Sequence, residues 1–236
     1  MRAILFGLIA AALSACTVSV PSSGTSQRPS QPQETVSRSG SPQSVAAFQA
    51  MVRRVEPVAE SVCRAQTSGV NCDFRVVLDR RDLPPNAYQT LDDNGRPVIG
   101  FTASLLTAMR NPDELAFAFS HEAAHHIAGH IPQIQRSATV GVLAATVLGT
   151  LAGLDSEGVE SVQNIGGTVG ARRYSKEFEL EADSLGARIA LRAGYDPLVG
   201  VQYFARAPDP GDQFLGTHPP NNERIRIVQR TVAAAR

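Results

Sequence analysis

The chain has 236 residues, 43% of them hydrophobic and 19% charged, which suits one sizeable globular domain with appendages and excludes two domains with full cores. Its 22 basic and 22 acidic side chains cancel, so no bulk field draws in nucleic acid, and nucleic-acid binding is not expected.

Residues 1–15 read as a secretory signal: a positive charge at Arg2, an apolar run from Ala3 to Leu13, then small residues. The run is shorter than the roughly 20 residues of a spanning helix. Leu13-Ser14-Ala15-Cys16 resembles the bacterial lipobox, which implies that Cys16 is lipidated and becomes the first mature residue. Multiple acyl chains satisfy the requirement for stable anchoring. Under the Gram-negative sorting rule, Thr17 in place of aspartate implies the outer membrane, with the protein on the periplasmic side of the envelope. Residues 16–42 are nearly all Ser, Pro, Gln, Thr, Gly and Arg, a disordered tether with a span of about 25–30 Å. The folded domain is then 43–236.

From Ser41 the pattern turns helical, with Val45, Phe48, Met51, Val52, Val55 and Val58 at three- and four-residue steps and Ser41 or Gln43 as the cap. Pro57 is expected to kink or divide this helix. Cys63 and Cys72 are an even pair suited to a disulfide in an oxidising compartment, and their spacing is wrong for a zinc knuckle. Phe74 to Leu78 and Ala87 to Leu91 read as strands, and Asp93-Asn94-Gly95 turns the second into Pro97 to Thr102. A small antiparallel sheet is expected.

Asn111-Pro112-Asp113-Glu114 is a helix start: a capping asparagine, proline at the first helical position, acidic residues in the first turn. The helix, Leu115 to about His130, carries His121-Glu122-Ala123-Ala124-His125. Two histidines four apart lie about 40° apart on one face, close enough to hold one ion. Glu122 lies about 100° from His121 and reaches a water on the open side of that ion. This is the H-E-x-x-H arrangement of zinc hydrolases, in which the metal acidifies water and the glutamate takes its proton. A metzincin would place a third histidine where Ile131 stands. His126 and His130 point about 140° and 180° away from His121, and read as polar-face or core histidines.

The third ligand must come from elsewhere, and a second helix from Ser175 to Gly194 offers Glu179 and Asp183, four apart. One carboxylate can bind the ion while the other accepts the free ring N–H of a ligand histidine. Glu177 and Glu181 lie about 160° from Glu179 and read as a solvated face.

These residues resemble the membrane-associated gluzincin peptidases of the HtpX, BepA and CAAX-prenyl-endopeptidase type. His121-Glu122-x-x-His125 is similar to their metal helix, and Glu179-x-x-x-Asp183 to their second motif. Thr217-His218-Pro219-Pro220 with Glu223-Arg224-Ile225 is similar to their C-terminal motif. The resemblance, over roughly 83–230, implies an α+β, mostly helical zincin-like domain with one Zn2+ per chain. It implies His121, His125 and Glu179 as ligands, Glu122 as general base, and substrate added as a strand to the sheet edge. His218 is open between stabilising an oxyanion, closing the zinc as a fourth ligand, and serving as a loop residue. Arg224 holds a cleft carboxylate such as Asp183 or caps a helix.

Integral-membrane relatives differ from this chain, whose only other long apolar stretch is Thr139 to Leu154. Sixteen residues of helix span about 24 Å, short of a roughly 30 Å hydrocarbon core, so a buried or site-covering helix is expected rather than a membrane-inserted one. Gly166-Gly167 and Gly170 behind it read as a mobile loop near the cleft. The combined expectation is a lipid-anchored periplasmic zinc endopeptidase acting on unfolded or misfolded envelope proteins. The alternative is a chaperone-like metal-binding lipoprotein with weak turnover.

Overall fold

The computed structural model describes residues 43–172, 175–208 and 219–235. The signal, the lipidation site Cys16 and the tether expected over 1–42 lie outside the described residues, as does His218. Ser44 opens helix α1 (Val45–Gln66), its Oγ accepting from Ala47 N at 3.1 Å. Buried Phe48, Met51, Val55, Ala59 and Val62 recur at helical spacing and form one apolar stripe. Pro57 sits inside α1 without dividing it. At the end of α1, Cys63 is disulfide-bonded to Cys72, with Cα atoms 5.7 Å apart.

Three strands follow: β1 (Arg75–Asp79), β2 (Ala87–Leu91) and β3 (Pro97–Thr102). β2 and β3 form the expected hairpin, closed by a turn in which Gly95 takes φ 75° and Asp92 Oδ1 accepts from Asn94 N and Arg96 N. β1, however, pairs parallel to β3, giving the order β1-β3-β2. The sheet is therefore mixed and not antiparallel. The reason is burial: every residue of β3 is buried, so β3 takes the centre, and the segment after β1 carries β2 to the far side of it. A turn motif specifies only which consecutive strands pair, and is silent on which strand takes the centre.

Thr102 caps the short helix α2 (Ala103–Ala108). Asn111 Oδ1 then accepts from Glu114 N at 2.9 Å to start α3 (Pro112–Ile127), with Pro112, Asp113 and Glu114 in the first turn. α3 is the central helix, burying Leu115, Ala116, Phe119, Ala123 and Ala124. It stops at Ala128, and Gly129 takes φ 67°. The chain changes direction there into α4 (His130–Leu151), which pairs with α5 (Ser156–Arg172) around the turn at Gly153.

Two expectations fail in this hairpin. Gly166, Gly167 and Gly170 are helical, not a loop: a Cβ on Gly166 or Gly170 would overlap the α4 backbone at Gly141 or Ser137. These glycines let the two helices pack backbone to backbone. Nor is the apolar stretch buried. Val140, Leu143, Val147, Leu148 and Leu151 are 58–80% exposed, because α4 leaves the core at Gly129 and contacts α5 with its small residues instead.

α6 (Ser175–Arg192) returns across α3. The crossing is close at Gly186, where a Cβ would stand 2.9 Å from His121 N and 3.0 Å from its Cα. α7 (Pro197–Gly200), α8 (Gln202–Arg206) and α9 (Asn221–Ala234) complete a second apolar cluster of Phe117, Ala187, Val201, Val228 and Val232. The main core joins α1, β3, α3 and α6. Both clusters grip α3, so the metal-motif helix is fixed from opposite sides.

Candidate metal centre

His121, His125 and Glu179 converge, each offering one ligand atom within 4.8 Å of the others. His121 Nε2 and His125 Nε2 are 3.0 Å apart, and the Glu179 carboxylate oxygens lie 3.5 Å from the first and 3.4 Å from the second. Donors held about 2.0–2.1 Å from a tetrahedral ion stand roughly 3.3–3.4 Å apart. The three separations bracket that value, so the donor set fits zinc in both chemistry and size. Among the described residues no other His, Cys, Asp and Glu group meets the same test.

The two histidines of the triad are shifted in opposite directions. Burial disfavours a charged His121 imidazole, but hydrogen bonds to Asp183 and Glu179 outweigh it and push its pKa up to about 10. His125 moves the other way: burial holds it below its ordinary value despite Glu179.

A clamp lies behind the triad. His121 Nδ1 donates to Asp183 Oδ1 at 2.9 Å, which fixes the tautomer that leaves Nε2 free for an ion. Asp183 is fully buried; burial pushes its pKa up, but Arg224 and His121 overcome that and hold it below the usual carboxylate range. Arg224 reaches it from α9 through two bonds, Nε to Oδ2 at 2.8 Å and Nη2 to Oδ1 at 2.7 Å. The guanidinium also sits 3.7 Å above the Phe204 ring centroid and 3.4 Å from Glu179 Oε2. Arg224 thus holds the carboxylates in place; it does not cap a helix.

Glu122 lines the same cleft of about 440 Å³, with Tyr88 and Gln89 of β2, Ile131 and Ile134 of α4, and Arg224. β2 is an outer strand of the sheet and forms one cleft wall.

His126 and His130 stand outside the triad. His126 Nε2 donates to Asn71 O at 2.7 Å, and its ring meets Phe74 edge-on. His130 has a place that sequence reasoning missed. It is 1% exposed, stacks on Phe178, and puts Nδ1 2.8 Å from His125 Nδ1 and Nε2 3.3 Å from Glu181 Oε2. Burial, then the nearby His125, push its pKa down to about 4. The 180° estimate assumed a continuous helix. Gly129 ends that helix and swings His130 back onto His125; the signal was the Ala128-Gly129 pair, a common helix stop. Glu181 lies on the solvated face expected of it and is also close enough to bond His130. Glu177 is exposed as expected.

The sequence profile of peptidase family M48 matches residues 46–232. The chain is 28% identical over 187 residues to the mitochondrial metalloendopeptidase OMA1 of Saccharomyces cerevisiae, covering 74% of this chain and 51% of that protein. It is 28% identical over 163 residues to OMA1 of Schizosaccharomyces pombe, covering 66% and 46%. It is 29% identical over 202 residues to the putative beta-barrel assembly-enhancing protease of Vibrio cholerae, covering 76% and 41%. The chain spans about half the length of the curated relatives it matches. With the matched stretch running from α1 into α9 across the whole His-His-Glu constellation, the chain belongs to peptidase family M48.

Proposed function

We propose that the protein is a zinc endopeptidase of the bacterial cell envelope, held to the membrane through Cys16 on the periplasmic side. The observation that carries the chemistry is the convergence of His121, His125 and Glu179 at tetrahedral-ligand separations, with Glu122 in the same cleft. Zinc in such a donor set supplies a Lewis acid that acidifies water at neutral pH.

The chain's own residues do the rest. Glu122 takes a proton from the attacking water and returns it to the departing amine. Asp183 and Arg224 hold His121 in its metal-ready tautomer. The outer edge of β2 receives an extended peptide by backbone hydrogen bonds, which makes selection depend on unfolded chain more than on particular side chains. That mode suits unfolded or misfolded envelope proteins as substrates, and the assembly-enhancing protease of Vibrio cholerae is the relative that points the same way. The outer-membrane assignment follows from Thr17.

The test is Glu122→Gln in the full chain, with zinc content and casein cleavage both measured. Zinc should stay near one per chain while turnover falls about 10²–10⁴-fold. Full proteolysis by this variant refutes the role of Glu122. Absence of zinc and of cleavage in the wild-type protein refutes the enzyme reading.

A further inference from the structure

The α4–α5 hairpin has its polarity inverted relative to a helix pair built for water. Its inner face is built largely on small and polar groups, Gly141 against Gly166, Gly170 against Ser137, and Gln163 Nε2 donating to Thr146 Oγ1 at 2.8 Å, with Val142, Val159 and Val162 filling the space against Gly149 and Gly167. Thr146 and Thr150 return their hydroxyls to carbonyls one turn back, at 2.8 Å each. The outer face of α4 holds the large apolar side chains, from Val140 at 65% exposure to Leu151 at 80%. Backbone-close packing through small residues with apolar groups outward is the arrangement used where the surroundings are lipid.

Charge narrows the choice of occupant. Residues 137–154 contain no Asp, Glu, Lys or Arg, and Arg136 stands exposed at one end of the stripe, where a long cationic side chain reaches headgroup phosphates. By length and composition α4 is also apolar enough to cross a membrane, which favours lipid as the occupant. α5 is different on its outer side. It exposes Glu157, Glu160, Ser161, Asn164 and Thr168, with Ile165 at 61% and Val169 at 44% exposure on its flank, Val169 sharing a groove with Val140 and Leu148 of α4, and Asp155 is exposed at the turn. Driving the hairpin tip-first through a bilayer would carry those carboxylates into hydrocarbon. The orientation that keeps these carboxylates in water is sideways, with α4 down, the Ile165 and Val169 flank of α5 at the lipid boundary and its acidic face above. A helix of 22 residues then lies along the surface for about 33 Å.

We propose that the outer face of α4, Val140 to Leu151, is a membrane-docking surface that lies in the outer hydrocarbon of a phospholipid leaflet, parallel to the plane, with the polar face of α5 in water. The proposal rests on the envelope reading for the presence of a membrane, and is independent of the chemistry in the cleft. Its consequence is an orientation. Ile131 and Ile134 at the start of α4 line the metal cleft, so docking holds the cleft mouth at the headgroup layer, where extended segments emerging from the bilayer would meet β2.

The test uses the full chain with Cys16→Ser, which removes the acyl anchor, carrying a bimane label at Leu148→Cys or at Asn164→Cys. Each is mixed with phosphatidylcholine vesicles whose acyl chains bear a nitroxide. Quenching at Leu148 should exceed that at Asn164 at least threefold, with the order reversed for iodide in the water. Equal iodide access at both positions in the presence of vesicles overturns docking. Equal nitroxide quenching at both overturns the sideways orientation in favour of a spanning hairpin. Shielding of Leu148 without lipid, rising with protein concentration, overturns the lipid occupant in favour of a second copy. Val140→Cys serves if Leu148→Cys does not fold, as judged by circular dichroism. Adding Glu122→Gln should leave the quenching pattern unchanged, so failure of the peptidase reading and failure of docking are told apart.

Discussion

Replacing Gly186 by alanine should separate the stability of the domain from the precision of its metal centre. A Cβ at this position would stand 2.9 Å from His121 N, 3.0 Å from His121 Cα and 3.1 Å from Ser120 C. All three are backbone atoms, so no rotamer change relieves the overlap. Comfortable contact lies near 3.5 Å, and α3 and α6 must therefore part by about 0.5 Å. Overpacking of this kind costs about 1–3 kcal/mol, while alanine in a helix interior regains about 1 kcal/mol over glycine. The net is a loss of roughly 0–2 kcal/mol, or up to about 8 °C in melting temperature for a domain of this size.

The centre should suffer more. Glu179 and Asp183 sit on α6 and His121 on α3, so parting the helices pulls the donor set open. A misplacement of about 1 Å costs near 10²-fold in rate, and half that distance implies roughly tenfold. The assay compares melting temperature, zinc affinity by chelator competition, and casein cleavage for Gly186→Ala and for Gly167→Ala. The latter meets the movable Val142 side chain at 3.0 Å and Ala138 O at an ordinary 4.0 Å, and should leave zinc affinity and cleavage unchanged while shifting stability by no more than the about 1 kcal/mol that alanine gains over glycine in a helix. Unchanged zinc affinity and cleavage in Gly186→Ala would refute the claim that close approach of α3 and α6 sets the ligand geometry.

Three further outcomes are expected. His130→Ala should weaken zinc binding about 10–100-fold, as loss of a partner to a ligand histidine does, with His130→Asn recovering part of it and shifting the visible spectrum of the cobalt form least; equal affinity in both variants would remove His130 from the centre. Arg224→Met should destabilise the fold by about 3–5 kcal/mol by leaving the buried Asp183 carboxylate with the His121 N–H alone, and adding Asp183→Asn should restore part of that in urea unfolding; strict additivity of the two changes would count against the clamp. Reducing the Cys63–Cys72 bond should cost about 2.5–3 kcal/mol in the chain-entropy model, read as a lower urea midpoint; an unchanged midpoint would argue that this loop contributes nothing to the folded state.

What was legible in the sequence was what local chemistry determines. The start of α3 follows from Asn111, Pro112 and two acidic residues, whose effects act within one turn, and the β2–β3 hairpin follows from Asp93-Asn94-Gly95. The pair Glu179 and Asp183 stood out because four residues place two carboxylates on one helix face. What was not legible depended on events between elements. His130 was extrapolated along a helix that Gly129 ends, and so its contact with His125 stayed hidden. The central place of β3 is set by competition among three strands for burial. α4 carries core-like composition, and composition does not distinguish a helix buried in protein from one whose apolar face stays outside it.

The Arg224 clamp has a consequence for the order in which the protein is made. His121 and His125 leave the ribosome first, Glu179 and Asp183 next, and Arg224 on α9 last of these. Until α9 docks, Asp183 has only the His121 ring N–H against the low-dielectric interior, and the buried pair lacks the cation that completes it. Under the proposed function, a nascent chain that has not reached α9 carries its metal ligands without the residue that fixes Asp183.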